Sequence, residues 1–145
     1  MHVFAYGSLM FPEVWTRVVR GRYRSAPAQV PDHARFMVRD ETYPGAVAAP
    51  GQRLAGVLWF DVDAADLARL DRFEGADYRR IVVSARVADG ADGADGAEST
   101  GNRRHAAALY LYLPVERLLP RPWLPEEFDM ATFLAVYGGM QDLAE

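Results

Sequence analysis

The sequence predicts an α+β protein built on a mixed or antiparallel curved sheet. Three observations carry this. Leu54 to Val62 is apolar almost without a break, as a strand covered on both faces is. Arg80 to Val87 and Ala106 to Leu113 alternate with period two on either side of a long connection, the pattern of a hairpin. The helical stretches are scattered among the strands instead of following each one in turn, which argues against a doubly wound sheet. At 145 residues the chain fits one domain over 1–145, with a flexible insertion at about 89–104.

Taken in order, Phe4-Ala5-Tyr6 reads as a strand that stops at Gly7-Ser8, followed by Leu9 and Met10. Phe11-Pro12-Glu13 opens a helix whose Val14, Val18 and Val19 share one face, and Gly21 closes it. Ala26 to Val38 is extended but carries Pro27 and Pro31, which suits an edge strand. Asp40 to Gly45 is a loop, with Tyr43-Pro44-Gly45 as its turn. After the central strand, Asp63 offers an N-cap, Asp66 an acidic first turn and Gly75 a C-cap to a helix over 64–74. Ile81, Val83, Ala85 and Val87 share one face of the next strand, with Arg80, Ser84 and Arg86 on the other. The repeat ADGADGADGAESTGN holds too little apolar surface to order itself and reads as a flexible hairpin tip. Leu109, Leu111 and Leu113 on the return strand oppose Tyr110 and Tyr112, giving a core side and either a more polar side or one capped by other aromatic side chains. Leu118 to Trp123 is a proline-punctuated linker. Pro125, Glu126 and Glu127 start a last helix with Met130, Phe133, Leu134 and Tyr137 on one stripe, broken by Gly138-Gly139.

Composition narrows the function classes. Apolar residues make up 50% and charged residues 25% of the chain, ordinary globular values. A net charge of -4 with scattered basic residues argues against a nucleic-acid partner. Arg17, Arg20, Arg22 and Arg24 cluster, and read as a solvated edge. With no cysteine, thiolate catalysis, disulfides and thiolate-ligated metal are excluded. His2, His33 and His105 show no ligand spacing, so no metal is expected. No apolar run approaches the roughly 18 residues of a membrane span and no signal-like opening is seen, so the expectation is a cytoplasmic protein without a membrane partner.

Two places can carry chemistry. A strand that ends on Gly7-Ser8 is either an ordinary strand with a tight turn or one that turns so as to leave amide N–H groups pointing into whatever lies beyond the sheet, the means by which a backbone binds an anion or oxyanion. On the middle helix, Leu67, Leu70 and Glu74 fall on one stripe, so Glu74 points inward at the negative helix end unless the last turn before Gly75 frays and leaves it in water. Burial and the helix dipole both raise its pKa toward the range of a general base. Asp71 is the alternative inward acid. Tyr78, Arg79 and Arg80 follow closely, but an arginine paired to Glu74 would lower its pKa, so the guanidinium groups are expected to face elsewhere. Ser8 lacks the elbow motif of a serine hydrolase.

The segments FAYGSL, YPGAV, LDRFEGADYRR and ALYLYL, in this order in a chain of this size, resemble the gamma-glutamylcyclotransferase-like superfamily, and within it the AIG2-like group that includes gamma-glutamylamine cyclotransferase. The resemblance runs from the first strand to the tyrosine strand and weakens in the last helix. It implies a small mixed β-barrel with flanking helices. It also implies a cofactor-independent enzyme that cyclises a γ-glutamyl amine or amide, a small-molecule substrate, to 5-oxoproline. By the same resemblance, Tyr6, Gly7, Ser8 and Leu9 form the substrate loop with its backbone donors, Glu74 is the catalytic acid/base, and Tyr78 and Arg80 keep later motif positions. Tyr43, Tyr110 and Tyr112 are candidates for the pocket wall. The DG-rich insertion lies outside the shared pattern. A non-catalytic binding module on the same fold is the alternative.

Overall fold

The computed structural model describes residues 1–88 and 102–136; the DG-rich insertion, Tyr137 and Gly138-Gly139 lie outside them. The strands are β1 (His2–Ala5), β2 (Ser25–Val38), β3 (Pro44–Trp59), β4 (Tyr78–Ala88), β5 (Asn102–Tyr112) and β6 (Leu118–Pro122), and the helices are α1 (Pro12–Val18), α2 (Ala64–Glu74) and α3 (Met130–Val136). β1 pairs antiparallel with β3, β3 with β2, β2 with β4 and β4 with β5. A parallel pairing of His2 and Val3 with Ala107 and Ala108 of β5 closes the ring. The result is the small mixed barrel expected, with β6 added outside it along β2.

Period-two alternation sorts each strand into an inner and an outer set. Inside the barrel, Phe4, Ala28, Val30, Leu54, Leu58, Val87 and Leu109 pack together. Outside it, Val3, Trp59, Ala108 and Tyr110 meet Val14, Trp15 and Val18 of α1, Leu70 of α2 and Phe133 of α3. Trp15 stacks on Trp59 with ring centroids 4.3 Å apart, and the Trp59 indole N–H donates to the Leu9 carbonyl at 3.2 Å. Of the two readings of the tyrosine side of β5, the capped face holds: Tyr110 and Tyr112 are both buried, Tyr110 among Trp15, Trp59 and Phe133 and Tyr112 against the Tyr78 ring and Gly45.

Several elements differ from expectation, each for a local reason. β2 is not an edge. It takes β4 at Ala28 and Gln29, between its two prolines, and β6 at Phe36 and Val38, beyond them, so the missing proline amides interrupt the second neighbour without forbidding it. The β2–β3 turn occupies residues 39–43, with Asp40 supplying the positive φ of 65°; Pro44 and Gly45 already belong to β3. α1 ends at Val18, since Val19 is extended and the Gly21 amide is drawn to Asp66. Residues 118–122 form β6, not a linker. Pro125–Glu127 is a separate 3₁₀ turn, and α3 begins only after Asp129, whose carboxylate accepts the Thr132 amide at 3.0 Å. The middle helix stands as expected. Asp63 accepts the Asp66 amide at its N-terminus, and Gly75 ends it at φ +80°, a conformation that strains any residue with a Cβ.

Asp66 does more than begin that helix. It is 1% exposed, and its carboxylate accepts from the amides of Arg20 and Gly21 (2.9 Å each), the Tyr23 hydroxyl (2.6 Å) and Arg69 (2.7 Å). Burial opposes the charge, but these donors outweigh it and hold the carboxyl below its ordinary value. The clamp fixes the segment after α1 to the start of α2, and so fixes where the far end of α2 lies.

Candidate active site

A cavity of about 180 Å³ opens between the end of β1 and the end of α2. β1 and the turn after it contribute Tyr6, Gly7, Ser8 and Leu9; the β2–β3 turn contributes Tyr43 and the first residue of β3 adds Pro44. Phe73 and Glu74 come from α2, Asp77 and Tyr78 from the approach to β4, Tyr110 from β5 and Phe133 from α3. The two stretches singled out in the sequence thus share one cavity. So do Tyr43, Tyr78 and Tyr110, whereas Tyr112 stands behind it, against Gly45. Phe73 and Asp77, inside LDRFEGADYRR, and Phe133, on the stripe of the last helix, line it too, although none of them stands among the site residues expected from the sequence.

The turn owes its shape to close packing. A Cβ on Gly7 would come within 2.8 Å of the Pro44 ring, so only glycine lets β1 meet β3 here. Residues Ser8–Met10 then form a 3₁₀ turn whose first bond runs from the Met10 amide to the Gly7 carbonyl at 3.0 Å. The amides of Ser8 and Leu9 fall before that bond and are left outside the turn's own ladder.

Glu74 is half-buried and lines the cavity. Burial first, and then the nearby Asp71 carboxylate, push its carboxyl from an ordinary value of 4.5 up to about 8. Asp71 itself faces elsewhere: Arg80 Nε lies 3.1 Å from it and the Tyr110 hydroxyl donates to it at 2.7 Å. Arg80 is thereby spent on Asp71, and the carboxylates that line the cavity are Glu74 and Asp77, the latter 3.5 Å from Arg117.

The tyrosines are walls with fixed hydroxyls. Tyr6 donates to the Tyr110 carbonyl and accepts from the Ala46 amide, and Tyr78 donates to the Pro44 carbonyl at 2.8 Å. Burial above all holds Tyr6, Tyr78 and Tyr110 well above the ordinary phenol value. They stay protonated, so they are donors and not bases. Among the described residues no group of three or more His, Cys, Asp or Glu could hold a metal ion. No helix among them is long and apolar enough to cross a membrane.

A closed five-stranded barrel with an added strand and three flanking helices, hollowed where the first strand meets a helix terminus, is the gamma-glutamyl cyclotransferase fold. A solved structure named "Gamma-glutamyl cyclotransferase" superposes with a TM-score of 0.59 at 19% identity, covering 77% of this chain and 65% of that one. A solution structure of an Arabidopsis thaliana protein gives a TM-score of 0.66 at 21% identity over 97% of this chain and 86% of that one. The particular family follows from sequence: the chain belongs to the family "Gamma-glutamyl cyclotransferase, AIG2-like", whose model matches residues 3–127. AIG2-like protein D of Arabidopsis thaliana is 33% identical over 92 residues, 63% of this chain and 60% of that protein. The chain therefore spans little more than half the length of the curated relatives it matches.

Proposed function

We propose that the protein is a γ-glutamyl cyclotransferase that closes a γ-glutamyl amine or amide to 5-oxoproline and releases the free amine. The observation that carries this reading is that Glu74, with its carboxyl raised to about 8, lines the same cavity as the Gly7-Ser8 turn. Family membership and a cavity walled by fixed phenols support it.

In the proposed reaction the γ-carbonyl oxygen lies against the amides of the turn after Tyr6. Ionised Glu74 accepts a proton from the substrate's α-ammonium group. The freed amine attacks its own γ-carbonyl, forming the ring N–C bond, and the developing oxyanion gains from backbone donors worth about 3 to 4 kcal/mol. The protonated Glu74 then gives its proton to the departing amine as the old C–N bond breaks. Attack within one bound molecule already benefits from proximity, so no cofactor is invoked. A base with a pKa near the working pH suits a residue that must take and return the same proton.

The test is a panel of γ-glutamyl amines, γ-glutamyl amino acids and glutathione, with 5-oxoproline followed by mass spectrometry. Turnover of at least one class by the wild type, lost by a factor of about 10² or more in folded Glu74→Gln, is the expected result. Binding across the panel without product would replace the reading with a non-catalytic binding module.

A further inference from the structure

Arg35 lies on β2, outside the cavity, and no motif marked it. Its guanidinium nonetheless gathers three backbone carbonyls from separate parts of the chain. One NH1 donates to the Tyr6 carbonyl at 2.7 Å and to the Ala55 carbonyl at 2.9 Å, while Nε donates to the Trp123 carbonyl at 3.1 Å. The same group stands 5.2 Å from the Trp123 ring centroid, and the Trp123 indole N–H in turn donates to the Thr42 carbonyl at 2.9 Å. Lysine could not do this, because a point charge on a flexible stem lacks the planar fork that meets several acceptors at once.

The bond to Tyr6 matters most, because Tyr6 is the residue before Gly7. No peptide bond among the described residues is cis, and a planar trans peptide points its C=O and the following N–H in opposite directions. Holding the Tyr6 carbonyl toward Arg35 therefore turns the Gly7 N–H away from Arg35. Gly7 lines the cavity and Arg35 does not, and the N–H is left on the side of the peptide away from Arg35. Through Trp123 and Thr42 the same guanidinium also braces the turn that presents Tyr43.

We infer that Arg35 is a positioning residue, which sets the plane of the Tyr6–Gly7 peptide and so aims the Gly7 N–H at the oxygen that becomes negative in the reaction. The role in turnover rests on the cyclotransferase reading; the orientation of the peptide does not. A donor that is misaimed costs the transition state more than the ground state, so the loss falls on kcat more than on KM.

The experiment compares Arg35→Lys and Arg35→Met with the wild type on the γ-glutamyl substrate the wild type turns over, together with the amide spectrum of each ¹⁵N-labelled protein. The expected result is a kcat lower by about ten- to a hundredfold in Arg35→Met with KM within about threefold, and partial recovery in Arg35→Lys. The Gly7 amide resonance should move in both variants. Either of two results overturns the inference: a Gly7 resonance unmoved in Arg35→Lys, or a folded Arg35→Met with wild-type kcat. If Arg35→Met does not fold, Arg35→Lys alone decides by the same two readouts. A wild type inactive on the whole panel would end the cyclotransferase reading, and the Gly7 resonance would still decide what Arg35 orients.

Discussion

Glu74 occupies the last position of α2, one residue before the glycine that ends it. There the carboxylate has lost most of its water and meets another carboxylate, and both effects favour the neutral acid. Between about 4.5 and about 8 the folded chain keeps a proton that the unfolded chain has released. Stability therefore falls as pH rises through that window, by on the order of 1 kcal/mol per pH unit before allowance for water entering from the cavity. Glu74→Gln removes that penalty. In thermal melts its advantage over the wild type is expected to be absent near pH 4 and to grow up to about pH 8; a constant offset across the range would mean that the carboxylate is not held as described.

At the scale of elements, α2 is tied at one end by Asp66 and carries Glu74 at the other. Asp66→Asn keeps the shape but removes the charge that four donors converge on. It is expected to cost about 2 to 4 kcal/mol in urea unfolding at neutral pH. Because the folded carboxyl is held low, the wild type loses this contribution only as pH falls below the ordinary aspartate range, and the two proteins should converge in acid. Local sequence was a good guide to α2, since Asp63, the leucine stripe and Gly75 act within the helix itself. It also put Gly7-Ser8 and Glu74 forward, from residue type and position, and the structure places both along one cavity. It did not show that the acid beside the N-cap would be the buried one, because its partners Arg20, Gly21 and Tyr23 lie more than forty residues away. β6 and the second neighbours of β2 were hidden for the same reason: proline-rich stretches look like linkers until a distant strand supplies the pairing. Arg35 was invisible because its partners are backbone carbonyls, which no side-chain pattern records.

For the whole molecule, the governing fact is that the ring closes through β1. The β2–β3 hairpin and the β4–β5 hairpin pair strands that follow one another in sequence, whereas β1 must lie between β3 and β5, which come much later. Contacts of long sequence separation form late, because their loop entropy is lost before they repay it. An ensemble with both hairpins and α2 formed but β1 still unplaced would hold most of the secondary structure and no Gly7 beside Glu74. In refolding from denaturant, far-UV ellipticity is thus expected to recover ahead of catalysis; simultaneous recovery of both would show that β1 inserts in the main folding step. Under the proposed function, turnover is then a clock for the last event of assembly, since β1, placed between two strands that follow it in the chain, is the one that completes the proposed catalytic centre.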